Sequence, residues 1–207
     1  MKSELIESRF DRLFRKTREL CTESGIDTFY ASASQYDLIL ESGLHFAVGE
    51  VLFPVMHHKE DRYMTEIRLH KEDIFVFDQW GLYLLNAEGP YDTQFTEHTF
   101  PDSKFFNDRE SSEAGIFYNA KMSLVINNMV VLTDISTDIF RMDIRDTEKE
   151  IHELSDFRYL DMPIMLQGNR NIYFRLDFPR KTNWTESGTR LRLRLRGLLV
   201  RNATIGK

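Results

Sequence analysis

The sequence predicts an all-β protein, an antiparallel β-sandwich preceded by one amphipathic helix. Three observations lead there. Only the first 25 residues keep a helical period of apolar positions. From Gly25 onward, short apolar runs alternate with Gly, Asn, Asp and Ser, the texture of strands and turns. No long helical pattern separates those runs, which argues for sheet packed on sheet and against a parallel α/β fold. The 207 residues suit one domain with an appendage. The expected division is residues 1–25 as an N-terminal helix or arm and residues 26–207 as the β-sandwich domain.

The helix rests on Leu5, Ile6, Phe10, Leu13, Phe14, Leu20 and Cys21, which recur at spacings of three and four. Ser3 is placed to cap its start, and Gly25 sits where a glycine ends a helix. The stripe Ile6, Phe10, Leu13 and Phe14 is expected to pack against protein, because two phenylalanines left in water invite aggregation. Its partner is either its own sandwich or a neighbouring subunit.

Candidate strands follow at Thr28–Ser32, Tyr36–Leu40, Leu44–Met56, Tyr63–Leu69, Ile74–Asp78 and Leu82–Leu85. The second half offers Gly115–Val125, Val130–Thr133, Ile139–Ile144, Met162–Leu166, Ile172–Phe178 and Arg190–Val200. Met64–Leu69 and Ile172–Phe178 alternate apolar and mixed residues, as a strand with one face on a core does. Asn127-Asn128 is a candidate hairpin turn, since asparagine tolerates positive φ, and Gly168-Asn169 is a second turn. The stretch 86–114 reads as the longest loop. Residues 145–156 read as a short second helix or a charged loop.

Charge is unevenly spread. The whole chain carries −6, yet residues 170–207 hold ten Lys/Arg and two acids, a local +8 that leaves −14 on residues 1–169. Within the basic segment Arg190-Leu-Arg-Leu-Arg-Leu-Arg196 alternates strictly. In a strand Leu191, Leu193 and Leu195 point to the core, and Arg190, Arg192, Arg194 and Arg196 share the other face about 7 Å apart. Such a ladder needs anions. Cross-strand acids of the same sheet, an acidic neighbouring subunit and nucleic-acid phosphates are the three sources. The few aromatics between the arginines and the acidic balance of the whole chain weigh against nucleic acid.

Catalytic patterns are absent. The sequence has no Gly-x-Ser-x-Gly elbow, no phosphate-binding Gly-rich loop and a single cysteine, Cys21, on the apolar helix stripe. His57, His58, Glu60, Glu66 and His70 contain metal-ligand chemistry. The two histidines are adjacent, however, so a regular strand sends them to opposite faces. No catalytic residue, cofactor or metal is therefore expected, and the protein is read as a non-enzyme. Trp80, Tyr83, Tyr91 and Trp184 could form a sugar-binding platform, although Trp80 and Tyr83 sit in strand patterns and are expected in the core. No apolar run is long enough for a membrane span. The charged start Met1-Lys2-Ser3-Glu4 does not read as a signal peptide. The Asn-x-Thr triplets at Asn183 and Asn202 are then expected to be chance matches.

Residues 157–200 contain Pro163, an apolar run, the Gly168-Asn169 turn, an apolar strand and a long closing strand. In that cadence the chain resembles the jelly-roll capsid and capsid-associated structural proteins of bacteriophages. The resemblance implies a jelly-roll-like sandwich and a non-enzymatic virion component, made in the host cytoplasm and assembled with copies of itself or other virion proteins. Terminal arms that reach neighbours are common in such proteins. The alternative is a carbohydrate- or ligand-binding β-sandwich module.

Overall fold

The structure, a computed structural model, describes residues 8–29, 31–44, 47–55, 69–87, 95–99, 116–117, 119–140, 157–182 and 189–205. One helix, α1 (Arg9–Glu23), precedes the strands β1 (Ile26–Asp27), β2 (Ser32–Gly43), β3 (Glu50–Pro54), β4 (Ile74–Ala87) and β5 (Phe95–Thr99). They are followed by β6 (Lys121–Ile126), β7 (Met129–Ser136), β8 (Arg158–Gln167), β9 (Ile172–Asp177), β10 (Arg190–Arg201) and β11 (Thr204–Ile205).

Two antiparallel sheets form the body. One runs β2-β10-β4, with β8 and β5 both on the far side of β4; the other runs β3-β9-β6-β7. The pairing nests. β2 pairs β10, β3 pairs β9, β4 pairs β8 and β6 pairs β7, each antiparallel. A chain that pairs its outermost strands, then the next, and spreads the pairs over two sheets is a jelly roll. The fold is therefore the antiparallel β-sandwich with one N-terminal helix that the sequence patterning predicts.

The core lies between the sheets. β10 gives Leu191, Leu193, Leu195 and Leu199; β2 gives Leu38 and Leu40; β9 gives Ile172, Phe174 and Leu176. Alternation on each strand follows from the two-residue repeat of the pleat. Phe77 and Phe174 meet edge to face across the interlayer, with centroids 6.2 Å apart. Trp80 is buried in this core against Phe140; Tyr83, expected there too, is buried on the opposite, outward face of β4, where the alternation beyond the bulge sends it.

Strand β4 changes phase. Phe75 and Phe77 face the core, and beyond the irregularity at Asp78 it is Trp80, Leu82 and Leu84 that do so. The sequence splits this element into Ile74–Asp78 and Leu82–Leu85 because one extra residue breaks the alternation. The structure makes it one strand with a β-bulge. Opposite the bulge is Gly197. A Cβ there would lie 2.6 Å from Phe77 Cα and closer still to the Val76 carbonyl oxygen, so only glycine admits the approach.

Several expected elements shift. α1 is capped by Ser8, whose hydroxyl accepts from the Asp11 N–H at 3.2 Å; Ser3 lies outside the described residues. Gly25, at φ 66°, follows the Ser24 C-cap as expected. Asn127 and Asn128 both take positive φ and close the two-residue β6–β7 hairpin, a type I′ turn. Gly168 turns the chain from β8 to β9, which belong to different sheets. Ile139–Ile144 was expected to be a strand, but its start belongs to a 3-10 turn, Thr137–Phe140. Thr28, Phe29 and Ala31 lie outside any strand, and β3 is shorter than the run Leu44–Met56. Residues 56–68 and 145–156 lie outside the described residues, as does the 86–114 stretch apart from the end of β4 and β5.

Candidate functional site

The outward face of the β2-β10-β4-β8 sheet carries the features the sequence singles out. It has two halves, which meet at the bulge.

One half is apolar and lies under α1. Ile74, Val76, Leu198 and Val200 project outward and pack with Leu13, Cys21, Ile26 and Ala203. The helix buries Leu13, Thr17 and Cys21, spaced by four, so the line of contact runs straight down one side. Thr17 gives its hydroxyl to the Leu13 carbonyl at 2.8 Å, so this buried hydroxyl is partnered. Burial pushes the Cys21 thiol up from its usual range. At the helix start the Arg9 guanidinium pairs with Asp78, the residue the bulge thrusts outward, and lies 5.8 Å from the Tyr159 ring centroid. After the helix, β1 pairs with β11, tying the helix exit to the residues beyond β10.

The expected stripe is divided. Leu13 packs on the chain's own sandwich. Phe10 and Phe14 stand on the flank of that contact, stacked at 6.4 Å and about 40% exposed (41% and 39%). Ile6 lies outside the described residues.

The other half holds the arginine ladder. Leu191, Leu193 and Leu195 are fully buried, and Arg190, Arg192, Arg194 and Arg196 face outward, as the alternation predicts. Two carboxylates of β2 meet them. Glu41 accepts from Arg192 Nε at 2.8 Å and from Arg190 at 3.4 Å. Asp37 takes the two-pronged fork of Arg196 at 2.9 Å on each arm, and Arg194 at 3.2 Å. On the other side lie aromatic rings: Arg196 sits 4.1 Å from the Phe157 centroid, and Arg194 lies 5.3 Å from Phe157 and 5.6 Å from Tyr83. Burial alone would raise the Asp37 carboxyl, but the hydrogen bond and charge of Arg196, with those of Arg194, outweigh it and hold the group below its ordinary range. Sequence reasoning did not name Asp37 and Glu41. Their signal was present: Asp37-Leu-Ile-Leu-Glu41 puts both acids on the face opposite Leu38 and Leu40.

Beside α1 a groove of about 610 Å³ opens between the helix, β1, β2 and the end of β10. Phe14, Arg18, Cys21, Asp27, Phe29 and Val200 are among its walls. Phe29 was not anticipated by periodicity. It stands 80% exposed on the turn after β1, where its N–H donates to Asp27 Oδ1 at 2.8 Å and the Ala31 N–H donates to the Thr28 carbonyl at 3.1 Å.

Among the described residues no three His, Cys, Asp or Glu side chains converge as a metal site. His57, His58, Glu60, Glu66, Tyr91 and Trp184 lie outside those residues. No described helix is long and apolar enough to cross a membrane. No family model matches the chain, and no curated protein matches it.

Proposed function

We propose that the protein is a non-enzymatic structural component of a bacteriophage particle, assembling with copies of itself or with other virion proteins. The observation that carries this reading is the nested strand pairing β2/β10, β3/β9, β4/β8 and β6/β7, the architecture used by many capsid proteins. A terminal helix docked on the outer sheet supports it, because that helix presents Phe10 and Phe14 outward where a subunit would meet them. The ladder, with its charges met by Asp37 and Glu41, serves as a cross-link within the sheet that keeps the building block rigid. Electron microscopy and light scattering of the purified full chain test the reading. The expected result is assemblies larger than a dimer. A chain that stays at or below a dimer and instead binds glycans on an array would overturn it in favour of a ligand-binding sandwich.

A further inference from the structure

We propose that the outer edge of β2 is a twofold self-interface, in which the strand pairs antiparallel with the β2 of a second copy and one sheet runs through both molecules. This rests on the self-assembly reading and names the contact that begins it. Among the described residues the two large sheets end on β2, β5, β8, β3 and β7. An open strand edge offers a row of amides and carbonyls to any extended chain, and proteins guard such edges with short strands, proline, lysine or bulges. Four of these five edges carry a guard. β3 and β5 have five residues each, and β3 ends on Pro54. β8 contains Pro163 and slips register against β4. β7 slips register against β6 and holds Asp134 at φ 54°. β2 has none of these. It is twelve residues long, without proline, lysine or arginine, and its register with β10 is unbroken from Ser32 to Gly43. Its two acids do not act as guards either, because Asp37 and Glu41 are held by arginines of β10. The first four residues, Ser32, Ala33, Ser34 and Gln35, are all exposed although successive side chains point to opposite faces, so the strand is open on both sides there. A second copy is the occupant this edge suits. Residues 32–35 carry no charge, so two such runs meet without repulsion and offer a charged peptide nothing to recognise. An axis among these residues also keeps Asp37 and Glu41 of one copy clear of their counterparts. Antiparallel pairing of a strand with itself closes on a twofold axis perpendicular to the sheet, in which each copy supplies the same patch. That axis leaves both α1 helices on one face of the joined sheet. The groove between α1 and β2 has Phe14 and Ala33 among its walls, so the flanks bearing Phe10 and Phe14 face each other across the joined strands.

Sedimentation of the full chain across micromolar concentrations, with spin-label distances between copies, tests the contact. Wild type is expected to dimerise at least. Gln35→Lys sets a guard charge near its counterpart across the axis and should raise the dissociation constant about 10-fold or more, with a smaller effect in high salt. Gln35 is exposed, so the variant should melt with wild type. Labels on Gln35→Cys and on Ile39→Cys read the geometry, the native Cys21 being buried. Ile39 lies four residues further from the axis on each of two antiparallel strands, so its distance between copies should exceed that of Gln35 by about 26 Å. Equal distances at the two positions would overturn the proposal. So would a monomeric wild type, which would leave the edge to an extended segment of another protein. Large assemblies that are indifferent to Gln35→Lys would retire this interface and leave the virion reading standing. A dimer that responds to Gln35→Lys and never grows further would do the reverse.

Discussion

Strand β10 shows two different outer surfaces along one backbone. From Arg190 to Arg196 its outward residues are guanidinium groups, laid between the carboxylates of β2 and the rings of Tyr83 and Phe157. From Leu198 to Val200 they are aliphatic and lie under α1. The inward residues barely change, being leucine throughout apart from Gly197. The difference shows how a sandwich finishes the side of a sheet that faces away from its core. A charged half is made compatible with water by ion pairs and needs no cover. An apolar half needs a further layer, and the helix supplies it. The border falls at the bulge, where Gly197 lets β4 come close and Asp78 is turned out to hold Arg9. The same irregularity that ends the ladder therefore anchors the helix.

The largest way to break this comparison is to attack what both halves share. Leu193→Asp puts a charge into the common core and is expected to unfold the domain at a cost of several kcal/mol, read as loss of the cooperative thermal transition. Next, Leu198→Ala removes the apolar half's central contact with α1. A loss of about 2–4 kcal/mol in urea unfolding is expected, with the ladder half intact.

The ladder half should lose less and show a pH signature. Asp37→Asn removes the acceptor shared by Arg194 and Arg196 and should cost about 1–2 kcal/mol at neutral pH, allowing for screening of partly exposed groups. Because the folded carboxyl titrates below its unfolded value, its contribution is present above the unfolded value. It is lost as pH falls through the folded one. The gap between variant and wild type in urea melts should therefore close in acid. The opposite trend would show that the ion pairs do not stabilise this face.

Two smaller effects sharpen the contrast. Arg9→Ala loosens the start of the helix without touching the ladder. It should speed labelling of the buried Cys21 thiol about 3–10-fold, with little change in global stability, as local opening of one layer predicts. Arg190→Ala, at the more exposed end of the ladder, should leave stability within about 0.5 kcal/mol in thermal melts.

Much of this was legible in the sequence because it depends on local periodicity. The alternation of residues 190–196 settled which side of β10 faces the core. The helical spacing to Gly25 settled α1, and two adjacent asparagines settled the I′ hairpin. Each follows from the geometry of a few neighbouring residues, which side-chain order alone records. The identity of the ladder's partners was half legible: Asp37 and Glu41 share a face, but that β2 lies beside β10, about 150 residues along the chain, is a fact of topology. The bulge was visible as a broken pattern and misread as two strands, since a single extra residue looks like a turn until its neighbours show the ladder continuing. What tertiary structure alone decided is how the helix stripe is shared out. Leu13 goes to the sandwich while Phe10 and Phe14 stay on the flank beside a groove, because the direction in which a helix faces its sheet is set by the long-range contacts of β4 and β10 beneath it. Sequence period fixes that a helix has an apolar side; only the packed sheet determines which part of that side is buried and which stays exposed.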